Sequence, residues 1–437
     1  MKKIVLYIVI ILSCSEIVFS QNPYSLEQCK KLAIEKNSKM KNSNLDVEIA
    51  KETEKEAFTN FFPSVSATGI IFNANKEMVE MEMKIPHIDP INLAFLKNGK
   101  MANVTAIQPL FTGGQIINGN KLAHVGVEVS ELKVKLSENE VNQTTEKYFW
   151  QIVSLKEKLN TLSAVEAQLN EIHKNVKVAV QAGIATNNDL LKVELKQQSV
   201  ESSRLKVEND LMVSKILLKQ HIGIKDSIFD ISFKEFPEII SPIIYYVNPE
   251  NAVLYRTESK MLDKSIEVAR LQKNMEIGKN LPTVALGASY VYHDLLDQNT
   301  DFGIVFATVS IPISSWWGGS HAIKRESLKQ QQAQNTSQNA KEMMQVEIQA
   351  KWNELEEAYK QVLISDKSIV SAKENLRVSK DYYNAGVSSL SDLLDAQTTL
   401  QNSYDQRSEA RTNYQTKLSD YLQITEITKQ SFQIIFK

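Results

Sequence analysis

The sequence predicts a mainly α-helical protein with a β-barrel part: tandem-duplicated long helical hairpins, plus four strands per chain that close a barrel only with copies of the same chain. Three observations carry this. Short residue patterns recur 203 to 219 positions apart, apolar residues recur every seven positions along very long stretches, and segments of about ten residues alternate apolar with small or polar side chains. The 14 Gly and 10 Pro make up about 5.5% of the 437 residues, under half of average usage, so turns are few and elements long.

Charge and hydropathy remove other classes. Lys+Arg 50 against Asp+Glu 52 gives a net charge of -2, without the basic excess of a protein that binds nucleic acid through phosphates. Beyond the first 20 residues no run approaches the ~18 apolar residues of a spanning helix, which excludes a multi-helix membrane protein. Met1 to Ser20 reads as a secretory signal, with Lys2 and Lys3, an apolar core from Ile4 to Leu12, and Val18 and Ser20 before Gln21. Ile11-Leu12-Ser13-Cys14 offers a competing lipoprotein box, with lipid on Cys14. After cleavage at Ser20 only Cys29 is left, so an exported chain has no disulfide framework and depends on packing.

The duplication orders the chain. Ala182-Gly183-Ile184 with Asp189-Leu190-Leu191 recurs as Ala385-Gly386-Val387 with Asp392-Leu393-Leu394, and Pro109 with Gly113-Gly114 recurs as Pro312 with Gly318-Gly319. Val47 to Lys51 and Phe62-Pro63 match Ile266 to Arg270 and Leu281-Pro282 at an offset of 219, so the first copy carries an insertion between Phe72 and Asn103. The expected divisions are a signal at 1–20, a first repeat at 21–221, a linker at 222–248, a second repeat at 249–425 and a tail at 426–437.

Each repeat should run helix, strand pair, very long helix, Gly turn, returning helix. The expected helices are Ser25 to Asn60, Gln115 to Gln181 and Asn188 to His221, then Pro249 to Lys279, Ser320 to Asn384 and Leu390 to Thr425. Helices of about 65 residues extend ~100 Å at 1.5 Å per residue and need a continuous partner seam. Leu155, Leu162, Leu169 and Val176 supply one at seven-residue steps; Leu355, Val362, Ile369, Leu376 and Tyr383 supply the other, flanked by Trp352 and Tyr359.

The four strands are expected from Ser64 to Ile71, Asn103 to Phe111, Thr283 to His293 and Phe302 to Ile313. Their alternation fits either a half-buried soluble sheet or the tilted wall of a membrane barrel. Export, and aromatic clusters at Phe61-Phe62, Phe111 and Trp316-Trp317 where an interfacial belt would fall, favour the barrel. Four strands cannot close in lipid, where every backbone donor must be paired. Two chains would give eight strands and a filled interior, three would give twelve and a lumen, and the homotrimer is the simpler expectation.

These residues resemble the TolC-like outer-membrane efflux protein family. The likeness runs from Tyr24-Ser25-Leu26-Glu27 with Ala33 and Asn37, through Gln108 to Gly114, to Tyr383-Asn384-Ala385-Gly386 and Asp392 to Gln397. It implies a trimer with a twelve-stranded outer-membrane barrel, continuous with a helical tunnel through the periplasm that docks on an adaptor protein and an inner-membrane transporter. It further implies an outer-membrane location with lipid around the strands, export through a tripartite efflux or type I secretion system, and periplasmic tip turns at Gly183 and Gly386. By motif position Asp392 and Asp395 look like pore-constricting acids, Tyr383 like a residue that holds the entrance closed, and Asp189 like its first-repeat counterpart. Ser388 stands where some members carry a latching arginine. The segment from Ile231 to Asn248, rich in β-formers, is expected as a belt around the tunnel, and Asn73 to Ala102 as an extracellular loop.

Physical chemistry leaves alternatives at the tip. Asp189 and Asp392 fall in the first turn of a helix, where a carboxylate favours the dipole, so capping accounts for them as well as gating does. Asp395 follows Asp392 by one turn, and in a trimer the two would stack as acidic rings. The six histidines are scattered, with no HExxH, no paired Cys spacing, no phosphate loop and no GxSxG elbow, so no catalytic residue, cofactor or metal site is expected. The alternative to a channel is an exported coiled-coil scaffold or adhesin with a soluble sheet.

Overall fold

The computed structural model describes residues 23–86, 88, 90–225, 229–295 and 298–426. The signal segment with Cys14 and the tail from residue 427 onward lie outside the described residues. In chain order the elements are α1 (Leu26–Lys36), α2 (Ser38–Thr59), β1 (Ser64–Asn73), β2 (Val79–Met83), β3 (Ile91–Phe95), β4 (Asn98–Thr112), α3 (Gln115–Gln181) and α4 (Asn187–His221). A 3₁₀ turn at Pro242–Tyr245 follows, then α5 (Pro249–Tyr255), α6 (Thr257–Gly278), β5 (Thr283–Leu295), β6 (Gln298–Ser310), α7 (Ser315–Asn384) and α8 (Leu390–Ile424). The order helix pair, strands, long helix, returning helix therefore occurs twice.

Two of the expected helices are each broken once, and the breaks correspond. Asn37 and Arg256, 219 positions apart, both take extended backbone, with ψ near 137°. At Asn37 the side chain competes with the helix ladder: Oδ1 accepts from the Lys39 amide at 2.8 Å, and Nδ2 donates to the His221 carbonyl at 2.8 Å. At Arg256 a buried guanidinium reaches Glu347 at 2.9 Å. Periodicity cannot reveal such breaks, because the apolar pattern continues through them.

The chain divides into two compact units. The strand unit comprises Ser43–Lys135 and Thr257–Met343; the hairpin unit comprises the described residues up to Asn42, Leu136–Arg256, and those from Met344 on. The strand unit holds an antiparallel sheet in the order β1-β4-β5-β6, with registers Ser64↔Ile107 to Asn73↔Asn98, Thr112↔Thr283 to Gly99↔Leu295, and Thr283↔Ser310 to Leu295↔Gln298. Pro109 lies past the end of the β1 pairing, where β4 has a neighbour on one side only, and a bulge at Leu110 follows it. The expectation of only four strands is corrected: the insertion folds β2 and β3 into a separate hairpin, Val79↔Phe95 to Met83↔Ile91. Val79, Met81 and Met83 alternating with Glu80 and Glu82 were the signal for it, over too few residues to outweigh the turn formers around them.

One face of the sheet is apolar and open, with Val65 69%, Ile71 81% and Val305 82% exposed. The other is mixed: Thr105 and Ser289, whose hydroxyls lie 2.8 Å apart across β4 and β5, share it with Ile107, Phe302 and Ile304. Gly113 and Gly114 take left-handed backbone between β4 and α3 (φ +63° and +79°). Their expected counterparts Gly318 and Gly319 do not turn the chain but lie inside α7, where Gly319 packs so close to Asn280 that a Cβ would meet its Oδ1 at 1.8 Å.

In the hairpin unit Leu162, Leu169, Val176, Leu355, Val362 and Ile369 of the predicted seams are buried, while Leu155, Leu376 and Tyr383 are half-buried. Leu162, Val165, Leu169 and Val176 of α3 pack with Val193 and Val200 of α4 and with Leu390 and Leu394 of α8. Ile348, Trp352, Leu355 and Val362 of α7 pack with Tyr414, Leu418 and Tyr421 of α8. The 231–248 segment is not β-rich in structure. Its ladder is a single bridge, Tyr24↔Ile231, because Pro237, Pro242 and neighbouring bends interrupt it. It is held instead by tyrosine hydroxyls: Tyr414 donates to the Ile240 carbonyl at 2.8 Å, and the Val247 amide donates to Tyr421 at 3.0 Å.

Candidate functional site

The tips of the two helical hairpins share one local design. After α3 and α7 the chain closes with a glycine in the left-handed region, Gly183 (φ +74°) and Gly386 (φ +73°). The amides that follow turn back onto the helix ends: Ile184 donates to the Ala179 carbonyl and Val387 to Tyr382, both at 2.9 Å, which satisfies carbonyls the helix leaves unpaired. No heavy atom lies within 4 Å of a Cβ built on either glycine, so the turns need glycine for backbone conformation and not for space.

Each returning helix then opens with a reciprocal cap. Thr186 Oγ1 accepts from the Asp189 amide at 3.2 Å while Asp189 Oδ2 accepts from the Thr186 amide at 3.2 Å and hydroxyl at 2.7 Å. Ser389 and Asp392 repeat the arrangement, the carboxylate accepting from the Ser389 amide at 2.9 Å and hydroxyl at 2.8 Å. The hydroxyl bonds, with the cap amides, hold both carboxyls below the usual aspartate range.

Asp395 is exposed on the same side of α8 as Asp392, one turn on, while Leu393 and Leu394 between them are buried. Tyr383 is half-buried against the tip core, and burial, with the Asp189 charge, pushes its hydroxyl up. The tip therefore gathers Tyr383 and Asp189 within electrostatic reach of each other. Ser388 brings no charge, and its Oγ is buried without a hydrogen-bond partner among the described residues. Sequence reasoning missed Lys192. Its Nζ donates to Ser391 at 3.0 Å and lies 3.8 Å from Asp189, joining the first repeat's cap to the first turn of α8. A lysine one turn after a capping Asp was the available signal.

The other predicted residues lie where the strands meet the long helices. Phe111, next to last in β4, faces Val284 and is 47% exposed; Trp316 donates from Nε1 to the Asn280 carbonyl at 2.9 Å; Trp317 is 82% exposed. Phe111 near the end of β4 and the two tryptophans in the first turn of α7 stand where strands give way to helices, while Tyr290 and Tyr292 lie toward the other end of β5.

A model of the outer membrane efflux protein family matches residues 261–424. Three solved structures align along nearly the whole chain: the outer membrane protein VceC of Vibrio cholerae (13% identity, 92% of this chain and 95% of that one, TM-score 0.73), the Campylobacter jejuni outer membrane channel CmeC (15%, 94% and 88%, 0.72), and the Neisseria gonorrhoeae outer membrane channel MtrE in its open state (16%, 92% and 88%, 0.72). The fold is that of these outer-membrane channels. No curated protein matches in sequence. Neither the matched family nor these channels is named for an enzymatic activity.

Proposed function

We propose that the chain is the outer-membrane channel of a tripartite efflux or type I secretion system, with its strands in the outer membrane and its helical hairpins in the periplasm. One observation carries the reading. The four-stranded sheet exposes an apolar face bordered by aromatic side chains and leaves both β1 and β6 without an outer neighbour among the described residues. Such a face belongs in lipid, and lipid tolerates no open edges, so copies must pair β6 with β1 around a ring. Three chains give twelve strands and a lumen. The helices support the same assembly: Leu191, Leu195, Leu205, Met212 and Ile216 keep heptad spacing along α4 yet are exposed, a second seam that a neighbouring copy would cover.

In that assembly the Phe111, Trp316 and Trp317 rings mark the periplasmic membrane interface, and the turns at Gly183 and Gly386 face an adaptor and an inner-membrane transporter. Asp392 and Asp395 line the entrance as stacked acidic rings, and the cap carboxylate serves both helix and pore. Tyr383, Asp189 and Lys192 tie the two hairpin tips of one chain together. Opening requires the tips to part, and substrate then passes outward without chemistry.

Fractionation and electrophoresis test the reading together. The mature chain should sediment with outer membranes, resist carbonate, and migrate in detergent as a trimer that heat converts to monomer. Recovery as a soluble periplasmic species would instead support a coiled-coil scaffold.

A further inference from the structure

Within the strand unit, a groove of about 780 Å³ opens between α2, α3 and α6. One wall is aromatic: Phe58 packs against Phe61 and Phe62 with ring centroids 5.6 and 5.5 Å away, yet the three rings remain 55%, 38% and 55% exposed. Phe62 is two residues before β1, so the wall continues into the open apolar face that begins at Val65.

The charges around the groove are almost all committed. His124 lies 2.7 Å from Glu54; Lys264 lies 2.7 Å from Glu128 and 3.2 Å from Glu267; Lys55 lies 2.8 Å from Glu52. Lys121 differs. It lines the same groove from α3, between Ile117 and Val125, and has no acidic partner among the described residues. An unpaired ammonium beside an exposed aromatic wall, at the end of a sheet face suited to lipid, matches a ligand with an anionic head and an apolar tail.

We propose that this groove binds an anionic phospholipid, with the phosphate on Lys121 and an acyl chain running over Phe58 and Phe62 toward the open face of β1. The proposal rests on the membrane reading above. A lysine suits a phosphate as a compact point charge, and the low dielectric beside rings and acyl chains strengthens the pairing.

The test uses the full-length protein, delipidated in detergent and followed by native mass spectrometry with dioleoyl phosphatidylglycerol, the matching phosphatidylcholine, or inorganic phosphate. Wild type should retain about one phosphatidylglycerol per chain. Loss of a charge-assisted bond makes retention about tenfold weaker in Lys121→Ala, Lys121→Arg should restore it, and Phe58→Ser should also weaken it. Phosphatidylcholine should bind more weakly, and inorganic phosphate should not displace the lipid. Equal retention by wild type, Lys121→Ala and Phe58→Ser overturns the site, as does displacement by phosphate alone. Trimers lost in Phe58→Ser would assign the groove to chain–chain contact and overturn it too. Insertion of wild type into phosphatidylglycerol vesicles keeps the membrane reading separate: insertion without retained lipid removes the site alone, and failure to insert removes both.

Discussion

Asp392 carries two claims that a pair of substitutions can separate. Its carboxylate completes the cap of α8 and is exposed, so Ser389→Ala, which removes the reciprocal acceptor, should cost about 1 kcal/mol of local helix stability and leave ion selectivity intact. Asp392→Asn with Asp395→Asn keeps an acceptor for the cap but deletes the charges; cation selectivity in planar bilayers should fall and block by multivalent cations should disappear, with trimer melting little changed. Unchanged selectivity in the double variant would take both residues out of the pore. Because the cap holds the Asp392 carboxyl low, its contribution is complete above the unfolded aspartate value near pH ~3.9 and is lost only as pH falls through the lower folded value. Tyr414 works in the opposite direction. Burial pushes its hydroxyl up to about 12, so its stabilisation is whole below pH ~10 and is lost as pH rises toward 12. Tyr414→Phe should cost about 1 kcal/mol near neutrality through the bond to Ile240 and should flatten the alkaline fall in the urea midpoint followed by tryptophan fluorescence.

Among elements, the glycine turns differ in what they demand. Gly386→Ala meets only the left-handed backbone, a strain of about 1 to 2 kcal/mol, and should weaken transporter docking while trimers still form. Gly113→Ala meets the same backbone and a carbonyl: its Cβ would lie 2.2 Å from the Gly278 oxygen. Loss of heat-modifiable trimer is expected there, and normal assembly would mean α6 can shift. Much of this level was legible in the sequence. The α3 limits, most positions of both hairpin seams, both tip turns and the alternation of β1 and β5 follow from periodicity and from glycine and capping residues, which act locally. The missed features depend on partners distant in sequence. Asn37 breaks its helix because His221 accepts its amide, Arg256 because Glu347 receives its guanidinium, and Lys192 matters because Ser391 is beside it. No window of neighbouring residues contains such information.

For the whole molecule, the sheet has an unusual dependence on chain completion. Its central pairing, β4 with β5, joins residues such as Thr105 and Ser289 that are 184 positions apart, whereas the hairpins close through five-residue turns. Local pairs form early, and distant ones wait on loop closure. A nascent chain therefore completes its first coiled hairpin while β1 and β4 are still a two-stranded ribbon, too small to be stable alone. The apolar face comes into being only when the second repeat delivers β5 and β6. This order acts as a timer: the surface that lipid would take up is withheld until the second repeat supplies β5 and β6, with only α7 and α8 still to follow in the chain.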